Sequence, residues 1–327
     1  MIIVHTPAAA GTGLDRFALE HGVPIPQNAL WIDLLEPTRA EDHLVEAFLG
    51  ISIPTREEMQ DIEPSEIIYT EGDARYMTAR VLCQSDTEQP RLVAVSFILT
   101  AQALVTVRYD EPRAFTMFTQ RAAKPTGCGH QPEAVFDGLL EAIIDRAAEI
   151  LGRVGDQIED LSRSVFERRS DKLERSGGYQ GVIRQLGRQA GLISNVRESM
   201  VSLERMLIFM QANYARPTKR SGFQAEWRTA IRDVQSIEDH ATFINNKVQF
   251  ILNATLGLVS LEQNKIIKIF SVAAVIFLPP TLIASSYGMN FKNMPELNWE
   301  YGYPMALGMM VLSVACTYTF FKMKRWL

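Results

Sequence analysis

The sequence predicts a membrane protein with an α/β N-terminal domain, a long α-helical stalk and two C-terminal transmembrane helices. Three observations predict this fold class. Short β-rich runs alternate with helical signals before residue 110, an almost unbroken helical pattern follows, and two uncharged apolar segments lie close together near the C-terminal end. Since the apolar segments take up a small part of the 327 residues, enough chain remains for domains with buried cores.

Residues 1–130 are expected to form the α/β domain. Runs rich in β-branched and aromatic residues indicate strands at Met1–Val4, Leu30–Leu34, Glu66–Thr70, Tyr76–Leu82, Leu92–Leu99 and Ala103–Tyr109. Between these runs, capping-box patterns that begin at Thr38 and Thr55 predict helix starts. The mixture suggests one sheet flanked by helices.

Helices are expected from the end of that domain to the membrane. Apolar residues recur every three or four positions from Pro132 to about Arg168 and from Val182 to about Asn213, which predicts a helical hairpin over residues 131–218. A stalk helix is expected over residues 219–268. If this helix is continuous from Phe223 to Tyr287, its 65 residues are about 100 Å long and cannot be buried inside one small domain.

Two segments near the C-terminal end are long and apolar enough to cross a membrane. Ile269–Ser286 has 18 residues without a charge, and Tyr301–Phe321 has 21. At about 1.5 Å per residue, each covers most or all of a hydrocarbon layer of roughly 30 Å. The expected boundaries are 269–287 for the first transmembrane helix, 288–302 for an extracytoplasmic loop, 303–321 for the second helix and 322–327 for a basic cytoplasmic tail. Buried core helices are the alternative, but such helices are usually amphipathic, whereas these segments are apolar all round.

The charges that flank the two segments predict the orientation of the chain. Lys265 and Lys268 precede the first segment, and three basic residues follow the second. The loop between them has Lys292 against Glu296 and Glu300. The positive-inside bias therefore places both termini in the cytoplasm and the short loop outside. The expected location is the inner (plasma) membrane. No signal peptide is visible.

Composition and motifs exclude several classes of protein. The net charge of −5, from 38 acidic and 33 basic residues, argues against a nucleic-acid-binding protein. Cys83, Cys128 and Cys316 are too far apart to suggest a disulfide scaffold or a zinc site, and the histidines show no metal-ligand spacing. No P-loop, nucleophile elbow or dinucleotide fingerprint is found, so neither an enzyme nor an organic cofactor is expected.

One face of the first transmembrane helix has the character of a pore lining. Steps of three and four residues place eight residues on this face, which we call the pore face: Asn264, Ile267, Ser271, Ala274, Leu278, Thr281, Ser285 and Gly288. Most of them are small or hydroxylated, and the 3.5-residue period is that of helices packed around an axis. Small residues also allow close helix packing without a pore, so this alternative stays open. Because a chain with two spans cannot enclose a pore alone, a symmetric homo-oligomer is expected.

The loop between the two segments carries the most specific motif of the chain. Gly288-Met289-Asn290 is followed by Met294-Pro295-Glu296-Leu297, and this arrangement between two C-terminal spans resembles the CorA family of magnesium channels. The soluble part is similar to the family more loosely, through Trp31-Ile32-Asp33-Leu34. The resemblance implies a homopentamer that spans the lipid bilayer and has a funnel in the cytoplasm. It also implies uptake of Mg²⁺, with Co²⁺ and Ni²⁺ as secondary ions.

The resemblance assigns roles to residues in and beside the pore. Gly288, Met289 and Asn290 match the motif that selects the ion, and hydrated Mg²⁺ would be recognised by a ring of Asn290 amides. Asn264 matches an asparagine ring at the cytoplasmic end of the pore, and Thr281 matches a threonine beside the paired prolines. The family's apolar constrictions, which act as gates, fall at Ile267, Phe270 and Leu278.

Mg²⁺ is expected to be a regulator as well as the transported ion. Asp233 resembles the stalk aspartate of the family, and Glu238 and Asp239 are further candidates for a regulatory metal site that favours the closed state. In the outer loop, Glu296 and Glu300 would raise the local concentration of cations.

Two other functions remain as alternatives. The zinc-transporting ZntB branch of the same superfamily would carry a different ion, with proton coupling. The motif Met294-Pro295-Glu296-Leu297 favours the magnesium branch. A membrane-tethered sensor or enzyme with its activity in residues 1–110 is the alternative from another class, although no catalytic constellation is found there.

Overall fold

A computed structural model describes most of the chain: residues 1–8, 13–20, 22–60, 63–124, 128–166, 178–213, 223–289, 294–295 and 299–324. The chain forms two compact units, Met1–Ile251 and Leu252–Leu327.

The N-terminal unit contains a mixed seven-stranded sheet. Its strands are β1 (Ile2–Pro7), β2 (Leu14–Ala18), β3 (Trp31–Leu35), β4 (Ile68–Glu71), β5 (Ala74–Cys83), β6 (Arg91–Leu99) and β7 (Leu104–Arg108). The strand order is β2-β1-β3-β7-β6-β5-β4. Neighbouring strands are antiparallel except for the central pair β3 and β7, which is parallel.

Helices cover both faces of the sheet. The helices of this unit are α1 (Arg39–Leu49), the short α2 (Pro64–Ile67), α3 (Arg113–Ala122), α4 (Pro132–Phe166), α5 (Gly178–Asn213) and the first part of α6 (Phe223–Tyr287). On one face, Val45 of α1 and Met59 of a 3₁₀ turn pack into a core with residues of β1, β3 and β7. On the other face, Phe136 of α4 contacts Phe97 of β6 edge to face, with 5.8 Å between ring centroids.

A buried polar network ties β3 to β7 at the centre of the sheet. The Arg108 guanidinium makes a forked ion pair with the Asp33 carboxylate, at 2.8 Å from Nη2 to Oδ2 and 3.0 Å from Nε to Oδ1. Thr106 Oγ1 donates to Asp33 Oδ1 at 2.7 Å and accepts from Trp31 Nε1 at 2.9 Å. Only 3% of the Asp33 side chain and 7% of the Arg108 side chain are exposed. The motif that begins at Trp31 therefore has a structural role in the sheet.

His5 lies against this network without joining its ion pair. Its ring stacks on Trp31 with 4.0 Å between centroids. Burial lowers the pKa of His5 to about 4, because the charged imidazolium would lose its hydration; the nearby Asp33 charge acts in the opposite direction. His5 is therefore neutral at physiological pH.

Three elements were not evident in the sequence. The short helix α2 (Pro64–Ile67) takes up the start of the strand expected over Glu66–Thr70, so β4 begins only at Ile68. The edge strand β2 has one buried residue followed by four exposed ones, so it lacks the alternation that marks a half-buried strand. Helix α3 begins after Pro112, whose side chain makes no capping hydrogen bond. The capping box at Thr38 is confirmed by bonds in both directions with Glu41, whereas the equivalent bonds between Thr55 and Glu58 start only a 3₁₀ turn.

Helix α6 is a single helix of 65 residues that includes the paired prolines Pro279 and Pro280. Its first part packs within the N-terminal unit through buried residues at helical spacing: Trp227, Val234, Ala241, Ile244, Val248 and Ile251. Lys247 of α6 also forms an ion pair with Glu159 of α4. No break marks the expected stalk-to-membrane boundary at residue 268.

The C-terminal unit consists of the remainder of α6 and helix α7 (Gly302–Met323). Both helices have an apolar window long enough to cross a membrane. The less exposed residues of each helix form one stripe, which contains Val272, Ile276 and Ile283 on α6 and Ala306 and Phe321 on α7. These stripes are the parts of the two helices that are least exposed within the single chain.

Candidate ion-conduction site

The pore face of α6 is exposed along its whole length. Every one of its eight residues, from Asn264 to Gly288, is exposed in the single chain. Each helical residue advances by about 100° around the axis, which places Leu278 about 160° from Ile276 and about 140° from Ile283. The pore face thus lies almost opposite the less exposed stripe of α6, and it is available to line a space between copies of the chain.

The predicted gate residues differ in how well they fit this face. Ile267 and Leu278 are 62% and 67% exposed, and they lie within about 20° of each other around the helix axis. Phe270 is 72% exposed but lies about 80° from Leu278, at the edge of the face. The geometry therefore favours Ile267 and Leu278 as central constrictions, with Phe270 beside them.

The paired prolines change the backbone chemistry of this face. Pro279 and Pro280 have no N–H, so within the described helix the carbonyls of Val275 and Ile276 lose their usual helical partners. Thr281 Oγ1 donates to Phe277 O at 2.7 Å, which directs the hydroxyl proton to the backbone and leaves the oxygen lone pairs free to accept. The middle of α6 therefore offers hydrogen-bond acceptors in an otherwise apolar segment.

The first two residues of the loop motif continue the last turn of α6. Gly288 N donates to Ala284 O at 2.9 Å, and its φ lies outside the left-handed region. A Cβ at this position would come within 3.1 Å of Ala284 O, closer than side chains usually approach a backbone oxygen. Gly288 is therefore suited to a tight helix end. Met289 beside it is 47% exposed.

Part of the predicted ion-selecting loop lies outside the described residues. This applies to Asn290, the third residue of the motif, and to Glu296. Glu300 is described and exposed. It lies between Trp299 and Tyr301, whose rings meet edge to face with 6.2 Å between centroids.

The structure does not bring the predicted regulatory acids together. Asp233 and Asp239 are exposed on α6, and Glu238 is partly buried. Burial raises the pKa of Glu238, and the negative charge of Glu204 on α5 adds to this effect. Within the described parts of the chain, no group of three or more His, Cys, Asp or Glu side chains is arranged to hold a metal ion.

Sequence reasoning missed an acidic cavity in the N-terminal unit. Its volume is about 770 Å³, and carboxylates of α4 and of the start of α6 line it: Asp137, Glu141, Asp145, Glu226 and Asp233. The signal was present in the sequence, because the three acids of α4 recur at intervals of four residues and so share one helix face. Which face of α4 meets α6, however, is a property of the tertiary structure.

Comparison with known proteins identifies the family. Residues 26–325 match the family described as CorA-like Mg²⁺ transporter protein. The chain belongs to the CorA family. The magnesium transport protein CorA of Pasteurella multocida (strain Pm70) is 34% identical over 324 residues, which cover 96% of this chain and 100% of the relative. The magnesium transport protein CorA of Escherichia coli (strain K12) is 35% identical over 316 residues, which cover 96% of each chain.

Solved structures confirm the fold class. The CorA magnesium transporter from Methanocaldococcus jannaschii matches with a TM-score of 0.75 at 18% identity, over 100% of this chain and 99% of that one. The full-length CmaX protein matches with a TM-score of 0.70 at 13% identity, over 99% and 97% of the two chains. The chain is therefore an inner-membrane protein of the CorA family, with a cytoplasmic α/β domain and two C-terminal spans formed by α6 and α7. Its family is one of transporters and not of enzymes.

Proposed function

We propose that this CorA family member is a magnesium channel or transporter that carries Mg²⁺ passively into the cytoplasm, with Co²⁺ and Ni²⁺ as secondary ions. The observation that carries the proposal is the similarity over 96% of the chain to relatives that are magnesium transport proteins. The exposed pore face of α6 adds physical support, since small and hydroxylated residues along one helix face can line a path for water.

The conducting form is a homopentamer in which five copies of α6 surround the pore. A single chain cannot enclose a pore, and the pore face has no cover from α7, so further copies must provide the remaining wall. In this arrangement residues 1–130 and the hairpin 131–218 form the cytoplasmic part, and 219–268 is the stalk. Residues 269–287 are the pore-lining span, 288–302 the outer loop, 303–321 the second span and 322–327 the basic tail.

Ion selection takes place at a ring formed by Gly288, Met289 and Asn290. Mg²⁺ requires six oxygens at about 2.0–2.1 Å and dehydrates reluctantly, so a selective ring should bind the hydrated ion. The amide oxygen of Asn290 can accept hydrogen bonds from the water shell. Because the amide is neutral, the ring would hold the ion without trapping it, whereas five carboxylates would release it slowly. Glu296 and Glu300 in the loop raise the local cation concentration.

The membrane potential supplies the driving force. An inside-negative potential contributes about 2.3 kcal/mol per charge per 100 mV, and therefore about 4.6 kcal/mol for a divalent cation. Because this potential can drive uptake, a nucleotide site is not needed, and the sequence contains no P-loop. Below the ring, Ser271, Ala274, Thr281 and Ser285 line the path, and Asn264 stands at its cytoplasmic end.

Closing takes place at the apolar constrictions, and cytoplasmic Mg²⁺ favours it. Rings of Ile267 and Leu278 exclude water when narrow, with Phe270 at their edge. Regulatory Mg²⁺ would bridge Asp233, Glu238 or Asp239 to carboxylates of a neighbouring copy. A site between copies agrees with the absence of a metal-binding cluster within the described residues of one chain. Such binding stabilises the closed state only through its greater affinity for that state.

Two substitutions test this closing mechanism through flux at high internal Mg²⁺. We expect Leu278→Ser to let flux continue when the wild type is inhibited, because a hydroxyl keeps the constriction hydrated. The matched control is Leu312→Ser on α7, where a leucine of similar exposure lies outside the pore face.

Asp233→Ala should lose inhibition in the same assay, whereas Asp156→Ala on α4 should not. Unchanged inhibition in Asp233→Ala would remove Asp233 from the regulatory site.

Ion competition in liposomes tests the function itself. Purified protein should carry Mg²⁺ down its gradient without a proton gradient, and Co²⁺ and Ni²⁺ should compete. A likeness to the ZntB cytoplasmic domain from Vibrio parahaemolyticus, at a TM-score of 0.53 and 11% identity, concerns the fold alone. Proton-coupled zinc transport without Mg²⁺ flux would overturn the proposal in favour of the zinc branch.

A further inference from the structure

The acidic cavity lies in the N-terminal unit, where the first turns of α6 meet α4. Among the described residues that line it, the one basic side chain is Arg121 of α3. Its guanidinium is already used, because Nη2 bonds to Gly138 O at 3.0 Å and to a Glu141 carboxylate oxygen at 2.8 Å. The carboxylates of Asp137 and Glu226 therefore have no free cation among the described residues that line the cavity.

Asp137 has two oxygens in different environments. Oδ1 accepts a hydrogen bond from Nε1 of Trp227, which lies on α6. Oδ2 is buried and has no hydrogen-bond partner in the described part of the chain. An ionised carboxylate with a buried oxygen and no donor is costly, because it has lost its water and gained nothing in return. A proton on Asp137 removes this cost.

Glu226 is the group that can accept a hydrogen bond from the protonated Asp137 carboxyl group. It lines the same cavity as Asp137 and directly precedes Trp227, whose indole N–H bonds to Asp137 Oδ1. When both are ionised they repel, whereas one proton converts the contact into a short carboxyl–carboxylate hydrogen bond. Glu226 lies in the first turn of α6, where the helix dipole stabilises negative charge. The proton therefore resides mainly on Asp137.

We propose that Asp137 and Glu226 share one proton at neutral pH, and that this bond fastens the first turn of α6 to α4. Loss of the proton leaves two facing negative charges in a cavity whose described lining offers no free cation, so the start of α6 is released. The bond itself does not depend on the transported ion. Because α6 continues to Tyr287, the bond also makes the helix of the proposed pore sensitive to cytoplasmic pH, and this consequence rests on the proposed function.

The direction of the pH effect follows from Asp137. The pKa of Asp137 is raised from 3.8 to about 8, chiefly by burial; the Trp227 bond acts in the opposite direction, and the contact and charge of Glu226 and the charge of Glu133 add to the increase. A carboxyl with a raised pKa in the fastened state stabilises that state fully below pH 3.8 and loses this effect as the pH rises to about 8. Within this window the equilibrium ratio of fastened to released molecules falls by up to about tenfold per pH unit.

Other charges that face the pair come from three of the helices around the cavity, whereas α5 contributes only Leu207 to its lining. They are Glu133, Glu141 and Asp145 on α4, Asp233 on α6 and Arg121 on α3. The four acids make removal of the proton harder, and Arg121 opposes them. The thiol of Cys128 remains neutral, since burial raises its pKa to about 11.

Infrared difference spectroscopy and hydrogen exchange of the full chain in lipid test the proposal. In the wild type, the carbonyl band of a protonated carboxylic acid should disappear with a midpoint near pH 8. The hydrogen-exchange rate of the first backbone amides of α6, corrected for the intrinsic pH dependence of exchange, should rise over the same pH range. In Asp137→Asn, which resembles the protonated acid, the band should be absent and the amides should stay protected. Asp156→Asn, an exposed acid on the same helix, should behave like the wild type.

A second variant keeps the test informative if Asp137→Asn folds poorly. Glu226→Gln removes the facing charge, so the midpoint of the Asp137 band should move to lower pH. An unchanged midpoint of the band in Glu226→Gln would refute the shared proton. So would a carbonyl band of wild-type size in Asp137→Asn together with the same rise in hydrogen exchange with pH as in the wild type. These measurements do not use ion flux, so a failure of the transport proposal would be seen separately.

Discussion

Replacement of Asn290 by alanine should reduce Mg²⁺ uptake into liposomes to the level of liposomes without protein. The proposed ring contains one Asn290 amide from each copy, and the substitution removes all of these oxygens at once. A hydrated Mg²⁺ ion would then meet methyl groups that cannot accept hydrogen bonds from its water shell. Because Mg²⁺ exchanges its waters reluctantly, other parts of the pore cannot compensate by direct coordination.

The matched control is Asn293→Ala, which removes the same amide from the same loop outside the motif. It should retain most of the uptake. Both variants should assemble like the wild type in size-exclusion chromatography, because the substitutions leave the buried stripes of α6 and α7 unchanged. Full uptake by an assembled Asn290→Ala variant would contradict the role of the ring and would direct attention to Met289 and the loop acids.

Replacement of Asp33 by alanine should destabilise the N-terminal unit by about 3–5 kcal/mol, because it leaves the Arg108 guanidinium buried without its counter-ion. The Thr106 hydroxyl would also lose its acceptor, Asp33 Oδ1, and with it the orientation in which it accepts from Trp31 Nε1. For a unit of this size, the midpoint of thermal unfolding should fall by roughly 10 °C. The unfolding of the full chain in detergent, followed by near-ultraviolet circular dichroism, measures this change.

Asp15→Ala is the control for the loss of an acid from the same sheet. Asp15 is exposed on the edge strand β2, and its replacement should change the free energy of unfolding by less than about 0.5 kcal/mol. If Asp33→Ala unfolded at the same temperature as Asp15→Ala, the ion pair would not contribute to stability. Retained uptake at low temperature in Asp33→Ala would agree with a purely structural role for the pair.

The elements with strong local patterns could be predicted from the sequence. Six strands and the long helices follow from β-branched runs and from apolar periodicity, which report the side of each segment that is buried. The two spans follow from length and lack of charge. Strand β2 could not be found in this way, because four of its five residues face solvent and its existence depends on pairing with β1.

The candidate site was predictable where it depends on one helix. The pore face follows from the order of residues along α6, and its exposure in the single chain agrees with the pattern. The tight fit at Gly288 could not be read from the sequence, because it depends on the position of the Ala284 carbonyl at the end of α6. The contact of Asp137 with Trp227 joins residues 90 positions apart, so no local pattern could indicate it.

The adjacent prolines of α6 give the long helix an uneven stiffness. Elsewhere, every backbone bond resists bending, but two successive bonds are missing at the turn that precedes Thr281. A force applied to the cytoplasmic end would travel along a rigid rod as far as this turn and would be absorbed there as curvature. The part of the helix beyond this turn, which ends in the loop motif, then keeps its orientation while the part before the turn tilts.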